Sequence, residues 1–436
     1  MKNIKKLLLM GATGLLLSAA ALGEGYKKLS TAEVQVALKN SEVVLVDTRI
    51  SDAFNGWALD GVKNGGHIEG ATDFSAYWLK NNADPKAVEK TLKDTLKNKG
   101  ITPEKEIILY DANEKDSLEI AEFLEKHEIK NISLYNINQW EKDNLPLKKF
   151  PGYEMIVPAQ WVKENLNKGY KVFEVAWGPE EMDEDYKNGH IPGAVHIDTD
   201  EVESAPLWSI NSDAKLLEFA KRNGITKDDK IILYSTNPMP SYRIAAILKY
   251  LGVQDVRILN GGLNSWKREG YQLEKKSNPK VAGIGFGTDA PLNKKLIANI
   301  SEARRVATAK NGHLVDIRRW EEHIGKITGY SDLDYKGRPA GALWGKAGSN
   351  PNQLEEYRNT DNTMRNGNEI LKMWKDLGIN IENEISFFCG SGWRAAEVLI
   401  FSKVLGLDKT SLYSNGWYEW SADKNNPVQT GVPERR

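Results

Sequence analysis

Val43-Val44-Leu45-Val46-Asp47-Thr48-Arg49 is an apolar run that stops at a charged turn; Gly66-His67-Ile68-Glu69-Gly70-Ala71 follows, and then a second apolar run, Ile107-Ile108-Leu109-Tyr110-Asp111. The succession returns as Val172-Phe173-Glu174-Val175, Gly189-His190-Ile191-Pro192-Gly193-Ala194 and Ile231-Ile232-Leu233-Tyr234-Ser235. It returns again as His313-Leu314-Val315-Asp316-Ile317-Arg318, Gly337-Arg338-Pro339-Ala340-Gly341-Ala342 and Ile385-Ser386-Phe387-Phe388-Cys389. Apolar runs without alternation predict strands buried on both faces, and the helical stretches between them predict parallel sheets covered by helices. In each copy a helix, a short strand and a tryptophan-bearing segment follow: Trp140, Trp266, and Trp417 with Trp420. Repetition at domain length points to duplication, giving an α/β chain of three tandem domains.

The expected boundaries are 24–150, 151–276 and 291–436, with a linker over 277–290. Residues 1–23 read as a signal peptide: a basic start, Lys2, Lys5 and Lys6, then a Gly/Ala-rich apolar stretch over 7–22 with a small-residue cleavage site. The expected mature protein is therefore exported, periplasmic or secreted, with no stable membrane insertion. Lys and Arg number 59 against 60 Asp and Glu, and no basic block follows the leader, so nucleic acid is not an expected partner.

Cys389 is the only cysteine of the 436 residues. It ends an apolar strand and opens Cys389-Gly390-Ser391-Gly392-Trp393-Arg394, after which a helical pattern begins at Ala395. A thiol between a strand end and a helix N-terminus sits among converging backbone N–H groups at the positive end of the helix dipole, a setting that favours a thiolate. A buried structural cysteine needs no Gly-x-Gly behind it and no arginine closing the turn. Export strengthens the argument, because an unpaired thiol in an oxidising compartment is a liability unless the thiol is the point.

Asp-x-Arg after the first strand, Gly-His-Ile-x-Gly-Ala and the cysteine-initiated loop resemble the rhodanese, or sulfurtransferase, family. With the leader, the three copies look like exported bacterial three-domain thiosulfate sulfurtransferases. The resemblance implies a sulfurtransferase in which Cys389 is nucleophile and persulfide carrier. The donor it implies is a small sulfur anion, and the acceptor a thiol, cyanide or a protein thiol; no cofactor is implied. The first two copies carry Asp111 and Ser235 in place of the cysteine, so chemistry is expected only in the third. Gly390, Ser391, Gly392 and Trp393 are expected to form the persulfide cradle, Ser391 alternatively capping the helix. Arg394 is expected either to face the donor's anion or to pair with a carboxylate such as Asp316. Asp316 and Arg318 carry over as supporting residues. Arg338 is open between a charge near the pocket and a surface residue.

Four residues separate Cys389 from Arg394, whereas the related phosphatases and arsenate reductases have five. The shorter loop suits one sulfur better than a tetrahedral oxyanion. A mercaptopyruvate-using enzyme and a non-turnover sulfur carrier or partner-binding protein are the remaining alternatives. No metal site is expected: the acidic residues over 180–185 read as a solvated turn, and Asp332-x-Asp334-x-Lys336-Gly337 has lysine at a ligand position of a calcium loop.

Overall fold

The computed structural model describes residues 25–80 and 84–434; the leader expected over 1–23 lies outside the described residues. The first copy holds strands β1 (Lys27–Lys28), β2 (Val43–Asp47), β3 (Thr72–Asp73), β4 (Glu106–Asp111) and β5 (Ile132–Asn136). The second holds β6 (Ile156–Val157), β7 (Tyr170–Ala176), β8 (Val195–Asp198), β9 (Lys230–Tyr234) and β10 (Asp255–Leu259). The third holds β11 (Ile297–Ala298), β12 (Gly312–Asp316), β13 (Leu343–Trp344), β14 (Glu384–Phe388) and β15 (Thr410–Tyr413). The orders are 1-5-4-2-3, 6-10-9-7-8 and 11-15-14-12-13, so all three sheets share one topology. Every pairing within them is parallel.

The central strands are apolar because helices cover both faces of each sheet: in β14, Ile385, Phe387 and Phe388 are all fully buried. The strand after the loop is followed each time by a tryptophan whose indole N–H closes a turn. Trp140 donates to the Pro146 carbonyl, Trp266 to that of Gln272 and Trp420 to that of Pro427, each at 3.1 Å. The Gly-His-Ile turns are held by stacking: His67 lies on Phe54 and His190 on Tyr186, each with ring centroids 3.8 Å apart.

Two compact units make up the chain, one ending at Lys149 and the other running from Phe150. The second unit contains copies two and three. After each central strand stands a helix: α1 (Lys115–Glu125), α2 (Met239–Leu251) and α3 (Trp393–Val404). Helices α2 and α3 pack on each other as well as on their sheets, with Tyr242 edge-on to Phe401 at 5.2 Å. That double covering explains why almost every residue of either helix is buried. The segment expected to be a linker is tied to the second copy: Gly283 N–H donates to Lys221 O, Lys227 N–H donates to Phe286 O, and Phe286 is buried.

The acidic stretch needs one correction. Asp183 is buried, its carboxylate accepting from the N–H groups of Asp185 and Tyr186 to cap the short helix Glu184–Asn188, while Glu181, Glu184 and Asp185 are exposed as expected. Among the described residues, no helix is long and apolar enough to cross a membrane.

Candidate active site

Cys389 follows the last residue of β14, and Gly416–Ala422 packs behind the loop. Trp417 N–H donates to the Cys389 carbonyl (2.8 Å) and Tyr418 N–H to the Gly390 carbonyl (3.1 Å). Among the described residues the N–H groups from Gly390 to Arg394 meet no protein acceptor, and those of Trp393 and Arg394 belong to the first turn of α3, whose N–H groups have no partner within the helix. Gly392 closes the turn at φ +91°, in the left-handed region; a β-carbon there would lie 2.5 Å from Ser414 O and 2.6 Å from Arg243 Nη1. Gly390 is required for another reason, since a β-carbon would sit 2.0 Å from the Tyr330 hydroxyl. Ser391 does not cap α3. Cys389 itself is 2 % exposed.

The first copy shows what such a loop holds. Glu114 stands at the position of Gly392, also left-handed (φ +67°), and the Asp111 carboxylate accepts from the N–H groups of Glu114 (2.8 Å) and Ser117 (2.9 Å). Burial pushes the Asp111 carboxyl up, and these amides oppose it. The loop geometry thus binds an acidic group mainly through backbone amides, with the Ser117 hydroxyl assisting. In the second copy Ser235 is buried with its hydroxyl unpartnered.

Arg394 is 1 % exposed and grips Glu322 with both guanidinium nitrogens, each at 3.2 Å. It also donates to the Tyr330 hydroxyl at 2.7 Å. Burial opposes its charge, but Tyr330, Glu322 and Cys389 outweigh burial and hold it well above its ordinary range. Of the two sequence expectations the structure shows the carboxylate pair, with Glu322 in place of Asp316. Burial, helped by Cys389 and Glu322 against the pull of Arg394, raises the Tyr330 phenol, so it stays a hydrogen-bond donor at neutral pH.

Asp316 instead takes two hydrogen bonds of 2.8 Å from Arg318 and lies 2.9 Å from His323 Nδ1. Burial disfavours its charge, yet Arg318 and His323 prevail and hold the carboxyl down to about 2. Arg318 extends the brace to the Gly337 carbonyl and lies over the Trp417 ring at 4.9 Å. Arg338 is not a surface residue: it is buried and donates to the carbonyls of His323 (3.2 Å) and Gly431 (2.8 Å), tying its turn to the end of the chain.

Trp393 reaches across to the second copy, its indole N–H shared by the two carboxylate oxygens of Glu203 at 3.0 and 2.9 Å. Glu203 lies 3.4 Å from Arg243 of α2, which donates to Ser414 Oγ at 2.7 Å. The Cys389 loop is therefore flanked by a buried ion pair from a copy that lacks the cysteine. Glu322, Tyr330, Glu203 and Arg243 were not singled out from the sequence. Tyr330 lies in a polar and aromatic stretch over 328–336, just before the Gly337-Arg338-Pro339 turn, and that stretch is the signal in the sequence that could have pointed to it.

The model of the rhodanese-like domain matches residues 30–143, 158–269 and 297–423. The chain belongs to the rhodanese-like family of sulfurtransferases. Among its relatives, thiosulfate sulfurtransferase YnjE of Escherichia coli K12 is 36 % identical over 443 residues, covering 99 % of this chain and 98 % of that one. Mouse thiosulfate sulfurtransferase is 22 % identical over 297 residues, covering 65 % of this chain and 96 % of its own. The rhodanese-like architecture is also that of an anaerobic ergothioneine biosynthesis enzyme from Chlorobium limicola, solved with its natural substrate trimethyl histidine. The TM-score is 0.87 at 31 % identity, covering 94 % of this chain and 100 % of that chain. A tyrosine-to-phenylalanine variant of EanB, solved as a cysteine persulfide in a tetrahedral intermediate state with ergothioneine, matches at TM-score 0.86 and 31 % identity, covering 93 % of this chain and 100 % of that chain.

Proposed function

We propose that Cys389 takes the outer sulfur of thiosulfate, or of a related sulfur anion, and passes it to a thiophilic acceptor. The Cys389 thiolate attacks the sulfane sulfur, the S–S bond of thiosulfate breaks, and sulfite leaves with the electron pair. The persulfide then rests against the loop amides until an acceptor thiolate or cyanide attacks its outer sulfur. That S–S bond breaks in turn and returns the electron pair to Cys389 as thiolate. The observation that carries this reading is the run of N–H groups from Gly390 to Arg394 that directly follows the thiol and, among the described residues, meets no protein acceptor. Kinship with thiosulfate sulfurtransferases supports the donor.

A second acceptor reading rests on Tyr330. In EanB a tyrosine and a threonine that have been varied stand from the persulfide cysteine at the same spacings as Tyr330 and Ser391 from Cys389. The hydroxyl of Tyr330 lies against Gly390, where it could serve a ring acceptor of the trimethyl-histidine kind.

Intact-mass spectrometry after thiosulfate treatment tests the donor step: one added sulfur is expected, and none in Cys389→Ser. Discharge by cyanide, a small thiol or trimethyl histidine then ranks the acceptors. Loading without catalytic turnover for any of them would turn the reading into a sulfur carrier, and absence of loading would remove thiosulfate as donor. The leader supports export of the mature protein, which cell fractionation checks.

A further inference from the structure

The first and third copies end their first strand with one arrangement. Asp47 pairs with Arg49, and Asp316 with Arg318, each carboxylate fully buried against a fully buried guanidinium. In the second copy the carboxylate becomes Glu174 and the arginine position becomes Ala176. Among the described residues, no other arginine or lysine is paired with Glu174. The neighbouring strand position supplies His196, and the helix cap supplies Asp183. All three side chains are more than nine-tenths buried.

The orientation of His196 is fixed by Gly178, whose carbonyl accepts from Nε2 at 2.9 Å. Nδ1 therefore turns toward the carboxylates, 2.7 Å from Glu174 Oε2 and 3.6 Å from Asp183 Oδ2. Asp183 Oδ2 takes no hydrogen bond, although the other oxygen of that group caps the helix. With the Nε2–H tautomer, three lone-pair donors face one small volume, and Ala176 stands where the sister copies place the neutralising arginine.

We propose that the second copy binds one divalent transition-metal ion, of which zinc is the best match, through Glu174, Asp183 and His196. Zinc accepts imidazole nitrogen and carboxylate oxygen at about 2.0–2.2 Å, which separates tetrahedral ligand atoms by about 3.3 Å. One ligand atom from each residue already lies within 4.8 Å of the others, and the His–Glu and His–Asp separations of 2.7 and 3.6 Å bracket the tetrahedral spacing. The Nε2–H bond to a backbone carbonyl is the outer hydrogen bond that metal-bound histidines ordinarily make. The ion would do for this copy what arginine does for the others: neutralise a buried carboxylate and join strand, turn and helix.

The test uses the full mature chain without a polyhistidine tag, in a Cys389→Ser background because a free thiol also captures zinc. After chelation and dialysis, zinc is titrated and the bound metal counted. One equivalent is expected, with at least a tenfold loss of affinity in Asp183→Asn, whose amide oxygen keeps the helix cap. Zinc should raise the unfolding midpoint of the parent and not that of the variant. Should the variant misfold, cobalt(II) absorption of the parent decides the donor set unaided. No bound zinc, equal binding in Asp183→Asn, or a cobalt spectrum without nitrogen and oxygen coordination would overturn the proposal and leave an imidazolium proton as the neutralising charge.

Discussion

At the scale of single residues, Arg394, for which the sequence left open the donor's anion or a carboxylate partner, is paired with Glu322 and bonded to Tyr330. The guanidinium is engaged by Glu322 and does not reach outward; it bears on the thiol as a buried positive charge, and it also holds the Tyr330 hydroxyl. Arg394→Lys loses the planar fork that grips Glu322 and Tyr330 together, and steady-state transfer should fall more than about tenfold, or roughly 1.4 kcal/mol. Tyr330→Phe removes only the hydroxyl; a comparable fall in rate with an unchanged unfolding midpoint would assign the hydroxyl to the chemistry. Glu322→Gln leaves a buried guanidinium without its counter-charge, and chemical denaturation should show a loss of about 3–5 kcal/mol. The cysteine, its glycines and its arginine were legible because their spacing is local. Glu322 and Tyr330 stand 67 and 59 residues before Cys389, and nothing in a linear pattern says which distant carboxylate will meet a buried arginine.

The elements repeat more faithfully than the residues do. Continuous apolar strands and tryptophan-bearing segments revealed three parallel sheets because burial on both faces leaves a compositional mark. The brace at the end of β12 makes its own prediction. Burial lowers the His323 ring below its ordinary value of 6.5, although Asp316 resists, and Asp316 is held down to about 2 from an ordinary 3.8. Both groups bind protons less readily folded than unfolded, so both contribute stability at neutral pH that acid removes. The His323 contribution should fade as pH drops below about 6.5 and that of Asp316 between about 4 and 2, the latter on the order of 2 kcal/mol. Thermal unfolding followed from pH 7 to 3 by near-ultraviolet dichroism should show the midpoint falling throughout. In Asp316→Asn the fall below pH 4 should be shallower. Less legible was the short strand pair of Arg338–Pro339 with Val428–Gln429, since two-residue strands carry no periodicity.

For the unit that begins at Phe150, the cysteine-less copy is part of the catalytic copy's wall. Glu203 and Arg243 meet Trp393, Ser414 and the Gly392 backbone. This contact was not legible in the sequence, because interfaces between copies leave no repeating signature. Removing either side of the Glu203–Trp393 contact should slow transfer several-fold. Glu203→Gln and Trp393→Phe combined should cost less than the two singles added, with a coupling of about 1 kcal/mol. Strict additivity in that cycle would mean that the contact does not steer the loop.

The amide-held Asp111 of the first copy has a consequence for the third. Measured from its β-carbon, an aspartate carries a terminal anionic atom two bonds out, and so does a persulfidated cysteine. The first copy is in that sense a frozen likeness of the sulfur-loaded state, shorter in reach but alike in charge and direction. Cys389→Asp should then lock the third copy in a permanently charged imitation of its intermediate, more resistant to heat than Cys389→Ala. It should also retain physiological acceptors that recognise the loaded form but cannot discharge it. If Cys389→Asp and Cys389→Ala melt together and retain the same partners, the likeness stops at the first copy.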